Sequence, residues 1–335
     1  MKYQSATSTI DTLTAIWKRV LQLSLVEVDD NFFDLGGDSS LALELFNEIA
    51  LSCGCELPPV TIYHAPTIAA LAQLIEHPTA PRVPPIVQLK DGCEPPVFIA
   101  HGLGGSVIDF YQVIKSMETQ SAIYGLQAKG IDGVGEPLDR IEDMARFSLD
   151  AVRDLQPHGP YFMVGFSLGG LVMLEMAQQL VAQGEKVGLL AMLDSYPHVS
   201  RLSGGQRARL WIRQTWRRIA RRLQWLGVKP PYETTVDVAP SPTLQHFREC
   251  SYRALERYQP RFYPGKIHFV RAAIPTDFPA DPAAVWSPLA NGFQVETVPG
   301  DHLGIMTTHF RELADVISHC LRGTESLDNK LDSRT

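Results

Sequence analysis

The stretch Tyr161-Phe-Met-Val-Gly-Phe-Ser-Leu-Gly-Gly170 decides how this 335-residue chain folds. Its first four residues form an apolar run typical of a buried strand, and a helical pattern over Leu171–Val181 follows. Between them, glycines two positions before and after Ser167 let the strand and the helix approach closely. Such a sharp turn holds a serine in a strained conformation with its hydroxyl exposed at the sheet edge. We therefore expect Ser167 to be a nucleophile and the Leu168 amide to be a donor to an oxyanion.

Beyond residue 85 the sequence alternates short apolar runs with helical patterns, which is typical of a mostly parallel sheet with crossover helices. Seven runs have the length of buried strands: Ile86–Leu89, Pro96–Ala100, Ala122–Leu126, Tyr161–Val164, Val187–Leu193, Ile267–Val270 and Phe293–Val298. Sites in such sheets form where the strands end at their carboxyl edge. The partners of Ser167 should therefore follow the ends of later strands.

A serine on this kind of turn needs an acid and then a histidine later in the chain. Asp194 ends the next apolar run, although an aspartate there could also only terminate a strand. Of the six histidines after Asp194, His302 alone follows a strand directly, in a loop that can turn back to the sheet edge. We expect Asp194 to be the acid and His302 the general base, and we interpret Asp301 as a turn residue.

A second donor to the oxyanion should lie in the loop after an early strand. The segment His101-Gly-Leu-Gly-Gly105 follows the second run, and its glycines keep the amide groups accessible. We expect the Leu103 amide to be this donor, with Gly104 as the alternative. The order serine, aspartate, histidine together with this loop resembles the α/β-hydrolases and implies their fold.

Residues 1–77 have a different character and suggest a separate small helical bundle. Helical spacing of apolar residues marks segments near Ile10–Val20, after Ser39 and over Thr67–Ile75. This region contains three basic and ten acidic residues, which accounts for the whole net charge of −7. The asymmetry indicates two domains with different surfaces.

The loop Asp30-Asn-Phe-Phe-Asp-Leu-Gly-Gly-Asp-Ser39 and the preceding Ile16-Trp17 resemble the carrier (thiolation) domain of nonribosomal peptide synthetases. The resemblance implies that Ser39 carries covalent 4′-phosphopantetheine, attached by a phosphopantetheinyl transferase. The chemistry is suitable because the positive end of a helix favours a phosphodiester. The alternative is that Asp38 and Ser39 only cap the helix.

The chain from about Ile86 to Leu321 resembles the type I thioesterases that end such synthetases. The resemblance is carried by His101-Gly-x-Gly-Gly105, Gln156-Pro-x-Gly-Pro-Tyr161, the turn at Ser167, Leu193-Asp194, Tyr258-x-Pro260-x-x-x-Pro264-Gly265 and Gly300-Asp-His302. It implies that an acyl or peptidyl chain moves from the thioester on Ser39 to Ser167 and is then released. Hydrolysis is the first expectation; macrocyclisation, transfer to an external acceptor and a non-catalytic delivery module stay open.

The resemblances suggest these boundaries: a carrier over 1–77, a proline-rich linker over 78–85, a thioesterase over 86–322 and a disordered tail over 323–335. Residues 197–261 interrupt the alternation, and we expect a helical lid there. Nine basic residues and no acidic one lie between Pro197 and Tyr232 of this insertion: Arg201, Arg207, Arg209, Arg213, Arg217, Arg218, Arg221, Arg222 and Lys229. They form either a solvated face or a docking surface for the acidic carrier or its phosphate; a membrane-surface or nucleic-acid role is the remaining alternative.

Composition excludes several other classes of protein. With 45% hydrophobic and 20% charged residues the chain is ordinary and globular, and no run approaches the length of a membrane span. Five cysteines, an odd number, argue against a disulfide scaffold, and Cys53-Gly-Cys55 has the wrong spacing for a metal site. We expect a cytoplasmic protein without signal peptide, metal or nucleic-acid partner, served by upstream synthetase modules. Whether it stands alone or ends a larger synthetase stays open.

Overall fold

The computed structural model describes residues 8–77, 84–205, 207–208, 211, 242–275 and 281–332. Residues 78–83 of the expected linker lie outside this set, as do Arg209, Arg213, Arg217, Arg218, Arg221, Arg222 and Lys229 of the basic stretch. The interpretations of that stretch therefore stay predictions. Among the described residues, no helix combines the length and the apolar character needed to cross a bilayer.

The first domain is the expected helical bundle. It contains α1 (Thr9–Val20), α2 (Ser39–Cys53), a 3₁₀ turn (Pro59–Tyr63) and α3 (Ile68–Glu76). The hydroxyls of Ser8 and Thr67 accept hydrogen bonds from the first turns of α1 and α3, so both helices begin at side-chain caps. The largest side chains of the buried core are Trp17 and Phe32, which meet edge to face at 5.3 Å.

The second domain is built on a seven-stranded sheet in the order β1-β3-β2-β4-β5-β6-β7. The strands are β1 (Ile86–Lys90), β2 (Cys93–Ala100), β3 (Ser121–Leu126), β4 (Tyr161–Phe166), β5 (Val187–Leu193), β6 (Tyr263–Ala272) and β7 (Ala290–Val298). Only β1 is antiparallel to its neighbour. The seven apolar runs are the seven strands, and the predicted α/β architecture is confirmed.

Helices cover both faces of the sheet. They are α4 (Tyr111–Ser116), α5 (Ile141–Leu155), α6 (Leu168–Ala182), α7 (Pro242–Arg257), α8 (Ala283–Trp286), α9 (Gly304–Thr307) and α10 (Phe310–Asp332). Successive strand residues point to opposite faces. Phe98 and Met163 therefore join the core beneath α5 and α6, whereas Ile99 and Val164 join the core beneath α4 and α10.

The described part of the insertion between β5 and β6 contains helical segments. It contains a 3₁₀ turn at Val199–Arg201 and the helix α7. The lid over residues 197–261 otherwise stays a prediction.

The tail differs from its prediction. Residues 323–332 of the tail continue α10 to Asp332, and residues 333–335 lie outside the described residues. Its polar composition suggested disorder, but most of its residues are compatible with a helix, and Leu327 and Leu331 favour one. The segment also continues a helix already fixed by buried residues such as Leu313 and Ile317, so no new helix nucleus has to form.

Candidate active site

The turn between β4 and α6 holds Ser167 in a strained backbone conformation. Its φ is 55° and its ψ is −116°, which a residue with a Cβ rarely adopts. The surrounding glycines explain how the turn closes. A Cβ on Gly165 would lie 2.4 Å from the Gly169 carbonyl oxygen, and one on Gly169 would lie 2.5 Å from that of Ala100. Only glycine allows β4, α6 and the end of β2 to meet this closely.

Ser167, Asp194 and His302 come together at the carboxyl edge of the sheet. His302 Nε2 lies 3.1 Å from Ser167 Oγ, and His302 Nδ1 lies 2.8 Å from Asp194 Oδ2. The other carboxylate oxygen of Asp194 accepts a hydrogen bond from the Ala272 amide at 3.2 Å. This bond fixes the orientation of the buried carboxylate, so that Oδ2 faces the imidazole. The arrangement can remove a proton from the serine hydroxyl.

An aromatic contact that the sequence analysis did not identify supports the histidine. The ring of Phe166 stacks on the imidazole of His302, with centroids 4.7 Å apart and planes 23° apart. The stack restricts rotation of the imidazole out of the plane that joins Asp194 and Ser167. The only signal in the sequence was an aromatic residue directly before the serine.

The remaining histidines after Asp194 lie elsewhere. His198 contacts Ser200 and Glu256, His246 contacts Glu136, and His309 contacts Glu312, while His268 and His319 lie within β6 and α10. The Asp301 carboxylate accepts a hydrogen bond from the Gly304 amide at 2.8 Å, so it terminates the loop before α9 as a turn residue.

The loop after β2 passes beside Ser167. A Cβ on Gly102 would lie 3.5 Å from Ser167 Cβ, which places the following Leu103 next to the serine. Leu168 is the first residue of α6, where amide groups have no partner within the helix. Within the described part of the chain, neither the Leu103 nor the Leu168 amide donates to another protein group. Both amides are therefore available to an oxygen beside Ser167.

His101, at the start of this loop, holds the loop by a hydrogen bond from its imidazole. Its ring is buried, and Nδ1 lies 2.7 Å from the Gly102 carbonyl oxygen. Burial lowers the pKa of the imidazole, against the opposite effect of that hydrogen bond. The ring is thus neutral at pH 7 and donates from Nδ1 to the loop that carries Leu103.

Ser39 lies on the other domain, at the first residue of α2. The Asp38 carboxylate accepts from the Leu41 amide at 2.9 Å and so caps the helix, and Gly36 enters the turn with a φ of 91°. The first turn of α2 itself contains no acidic residue, and the Asp38 carboxylate directly precedes it. These residues fit 4′-phosphopantetheine, because the positive end of the helix favours the phosphate.

A cleft of about 300 Å³ lies between α2 and the loop beside Ser167. Leu43, one helical turn after Ser39, lines it from the bundle, while Gly104 and Asp109 line it from the α/β domain. Arg248 of α7 lies on the same cleft. Burial raises the pKa of the Asp109 carboxyl to about 6, and the Arg248 charge acts in the opposite direction.

Comparisons with known proteins agree with this division. A family model described as a thioesterase domain matches residues 95–321, and one described as a phosphopantetheine attachment site matches residues 11–75. The dimodular nonribosomal peptide synthase of Bacillus subtilis is 32% identical over 313 residues, which are 87% of this chain and 13% of that protein. Malpibaldin synthetase of Mortierella alpina is 36% identical over 55% of this chain, which spans 3% of that protein. The chain thus spans a small part of the length of these relatives.

Solved structures share the fold. The crystal structure of a holo four-domain nonribosomal peptide synthetase bound to AMP and glycine superposes with a TM-score of 0.59 at 22% identity, covering 95% of this chain and 26% of that one. The thioesterase domain from the nocardicin cluster superposes with a TM-score of 0.53 at 24% identity, covering 70% of this chain and 98% of that one. At these identities the likeness establishes the fold alone.

Proposed function

This chain belongs to the thioesterase domain family, with a phosphopantetheine attachment domain before it, and we propose that it releases an acyl or peptidyl chain as the last step of a nonribosomal peptide synthesis. The observation that carries the proposal is the pair of hydrogen-bond distances that join Ser167 to His302 and His302 to Asp194. When bound, 4′-phosphopantetheine supplies the thiol on which the chain is carried as a thioester. We assign its attachment to Ser39.

In the first half of the reaction Ser167 becomes acylated. His302 Nε2 accepts the hydroxyl proton while Ser167 Oγ bonds to the thioester carbonyl carbon, and Asp194 stabilises the imidazolium. The Leu103 and Leu168 amides donate to the oxyanion of the tetrahedral intermediate. When the carbon–sulfur bond breaks, His302 gives that proton to the leaving sulfur, and the acyl group stays on Ser167 as an ester.

In the second half His302 removes a proton from the attacking group, and water is the attacking group we propose. The His302 side chain is 19% exposed, so solvent reaches part of it. Water then bonds to the acyl carbon, Ser167 Oγ leaves with the proton from His302, and a free acid is released. An internal amine or hydroxyl would follow the same proton path and give a macrocycle.

Release in H₂¹⁸O tests this proposal. The purified protein is loaded at Ser39 with an acyl-pantetheine by a promiscuous phosphopantetheinyl transferase, and the released product is weighed by mass spectrometry. We expect a free acid with one ¹⁸O atom, no release from Ser167→Ala, and normal release from the exposed-serine control Ser200→Ala. A product without ¹⁸O would replace hydrolysis by cyclisation, and release only with an added acceptor would replace it by transfer. Undiminished release from Ser167→Ala would refute the serine mechanism.

A further inference from the structure

The carrier bundle packs on the segment of the α/β domain that directly follows the loop after β2, which carries Leu103. This segment is a 3₁₀ turn at Val107–Phe110 followed by α4. Ile108 of that turn is only 2% exposed, and its side chain belongs to the apolar core of the bundle rather than to either core of its own domain. The carrier thus covers Ile108.

Two further contacts surround Ile108. The ring of Phe33, in the loop before Ser39, stacks on Tyr111 with centroids 5.0 Å apart and planes 19° apart. Val60 of the bundle forms a separate buried cluster with Val87 and Val107. The carrier therefore holds the turn by three apolar contacts within a few residues of one another.

The same turn is tied closely to the loop over residues 101–105 that carries Leu103, which we call the oxyanion loop. Only five positions separate Leu103 from Ile108, and the Ser106 hydroxyl accepts a hydrogen bond from the Ile108 amide at 3.2 Å. Gly105 between them has a φ of 74°, and a Cβ there would lie 2.5 Å from the Ile131 side chain. With such tight packing and so short a connection, the loop has little freedom to absorb a movement of the turn without shifting the Leu103 amide.

We propose that the bound carrier positions the oxyanion loop of the thioesterase, with Phe33 and Ile108 as positioning residues. This inference rests on the proposed function. Contact with the carrier orders the 3₁₀ turn at Val107–Phe110. This 3₁₀ turn then sets the position of the Leu103 amide beside Ser167. The carrier then contributes to the chemical step as well as delivering the acyl chain. Delivery and turnover are thereby coupled, because the loop is complete only while a carrier occupies this face.

A thioester of a small diffusible thiol distinguishes delivery of the acyl chain from positioning of the loop, because it reaches Ser167 without the carrier's arm. If the carrier only delivers, its contact residues have no influence on this substrate. If it also positions the loop, loss of the Phe33 contact lowers kcat and leaves KM nearly unchanged. Loss of a whole oxyanion donor costs about 10²–10³ in kcat. For a displaced donor we expect a decrease of roughly tenfold, because misplacement weakens the hydrogen bond without removing it.

The experiment uses the full chain carrying Ser39→Ala, so that no arm is attached, and acyl-N-acetylcysteamine as the substrate. We expect Phe33→Ala to lower kcat roughly tenfold with KM within about twofold, and Phe33→Tyr, which keeps a ring, to restore it. Leu51→Ala is the control, because Leu51 lies on the same bundle but is 81% exposed. A fluorophosphonate, whose phosphoryl oxygen needs the same amides, should label Ser167 more slowly in Phe33→Ala to a similar extent.

Thermal unfolding of each variant identifies any loss of folded protein. If Phe33→Ala does not fold, Tyr111→Leu removes the same ring contact from the thioesterase side. Unchanged kcat and labelling in folded Phe33→Ala or Tyr111→Leu would overturn the inference and leave delivery as the carrier's only role. Failure of the proposed function gives a different result, namely that Ser167→Ala still hydrolyses the diffusible thioester.

Discussion

Replacement of Asp194 by asparagine removes one charge and replaces one acceptor oxygen by a donor NH₂ group, with almost no change in shape. The Ala272 amide hydrogen bond holds Oδ1 of the buried Asp194, so an asparagine should keep its carbonyl oxygen there and turn its NH₂ group towards His302. The Nδ1 atom, 2.8 Å from that position, must then accept a hydrogen bond. The imidazole proton consequently moves to Nε2, which can no longer take the proton of Ser167.

Both the wrong tautomer and the lost carboxylate raise the barrier of the chemical step. In serine hydrolases with this arrangement the change costs about 10⁴ in kcat, and we expect 10³–10⁴, or about 4–5.5 kcal/mol. The assay is hydrolysis of acyl-N-acetylcysteamine at pH 7.5, with thermal unfolding to establish that the variant is folded. Asp301→Asn is the matched control, because Asp301 precedes His302 directly but bonds only to the loop. It should change kcat less than about threefold.

The reasoning fails if folded Asp194→Asn keeps more than about a tenth of the wild-type kcat, or if Asp301→Asn loses as much activity as Asp194→Asn. The second result would assign the role of the acid to Asp301, which is adjacent to His302 in sequence, rather than to Asp194, which is adjacent to it in space.

Three further predictions concern packing and titration around the site. Gly169→Ala places a Cβ 2.4 Å from the His101 carbonyl oxygen, so it should lower the free energy of unfolding by about 1–3 kcal/mol in urea titrations; Gly204→Ala, with open space around it, should not. Phe166→Leu removes the ring stacked on His302 and should lower kcat about tenfold while the protein stays folded, whereas an unchanged kcat would show that the stack is dispensable. The pKa of Asp109 is raised from 3.8 to about 6, so its contribution to stability is fully present below about pH 4 and is lost as pH rises through 6. Asp109→Asn should therefore flatten this fall in urea titrations between pH 4 and 7.5, and an equal fall in both proteins would contradict the assignment.

The convergence of Ser167, Asp194 and His302 could be predicted from sequence because parallel strands end at one edge. Ser167, Asp194 and His302 are far apart along the chain, but each follows the end of a strand, and these ends converge whatever the details of packing. The glycine-rich loop after β2 was identifiable for the same reason. The prediction for Ser39 depended on a different kind of information, namely the resemblance of its surrounding loop to carrier domains.

The contacts that refine the site could not be predicted in this way. Apolar residues such as Phe166, Ile108 and Phe33 are expected to be buried, but the sequence does not indicate which residues they will contact. The Phe166 ring meets His302, and Phe33 meets Tyr111, only after the whole chain has folded. The continuation of α10 to Asp332 was missed because a polar composition does not distinguish an exposed helix from a disordered segment.

The location of the acyl group over time tests the central claim, that the chain passes from Ser39 to Ser167. The measurement is mass spectrometry of peptides from the loaded protein, quenched in acid at successive times, in the wild type and in Ser167→Ala. We predict that the acyl mass leaves the Ser39 peptide of the wild type, is found on the Ser167 peptide before free product, and stays on Ser39 in the variant. Equal loss from Ser39 in both proteins, with no acyl group on Ser167 at any time, would contradict the account.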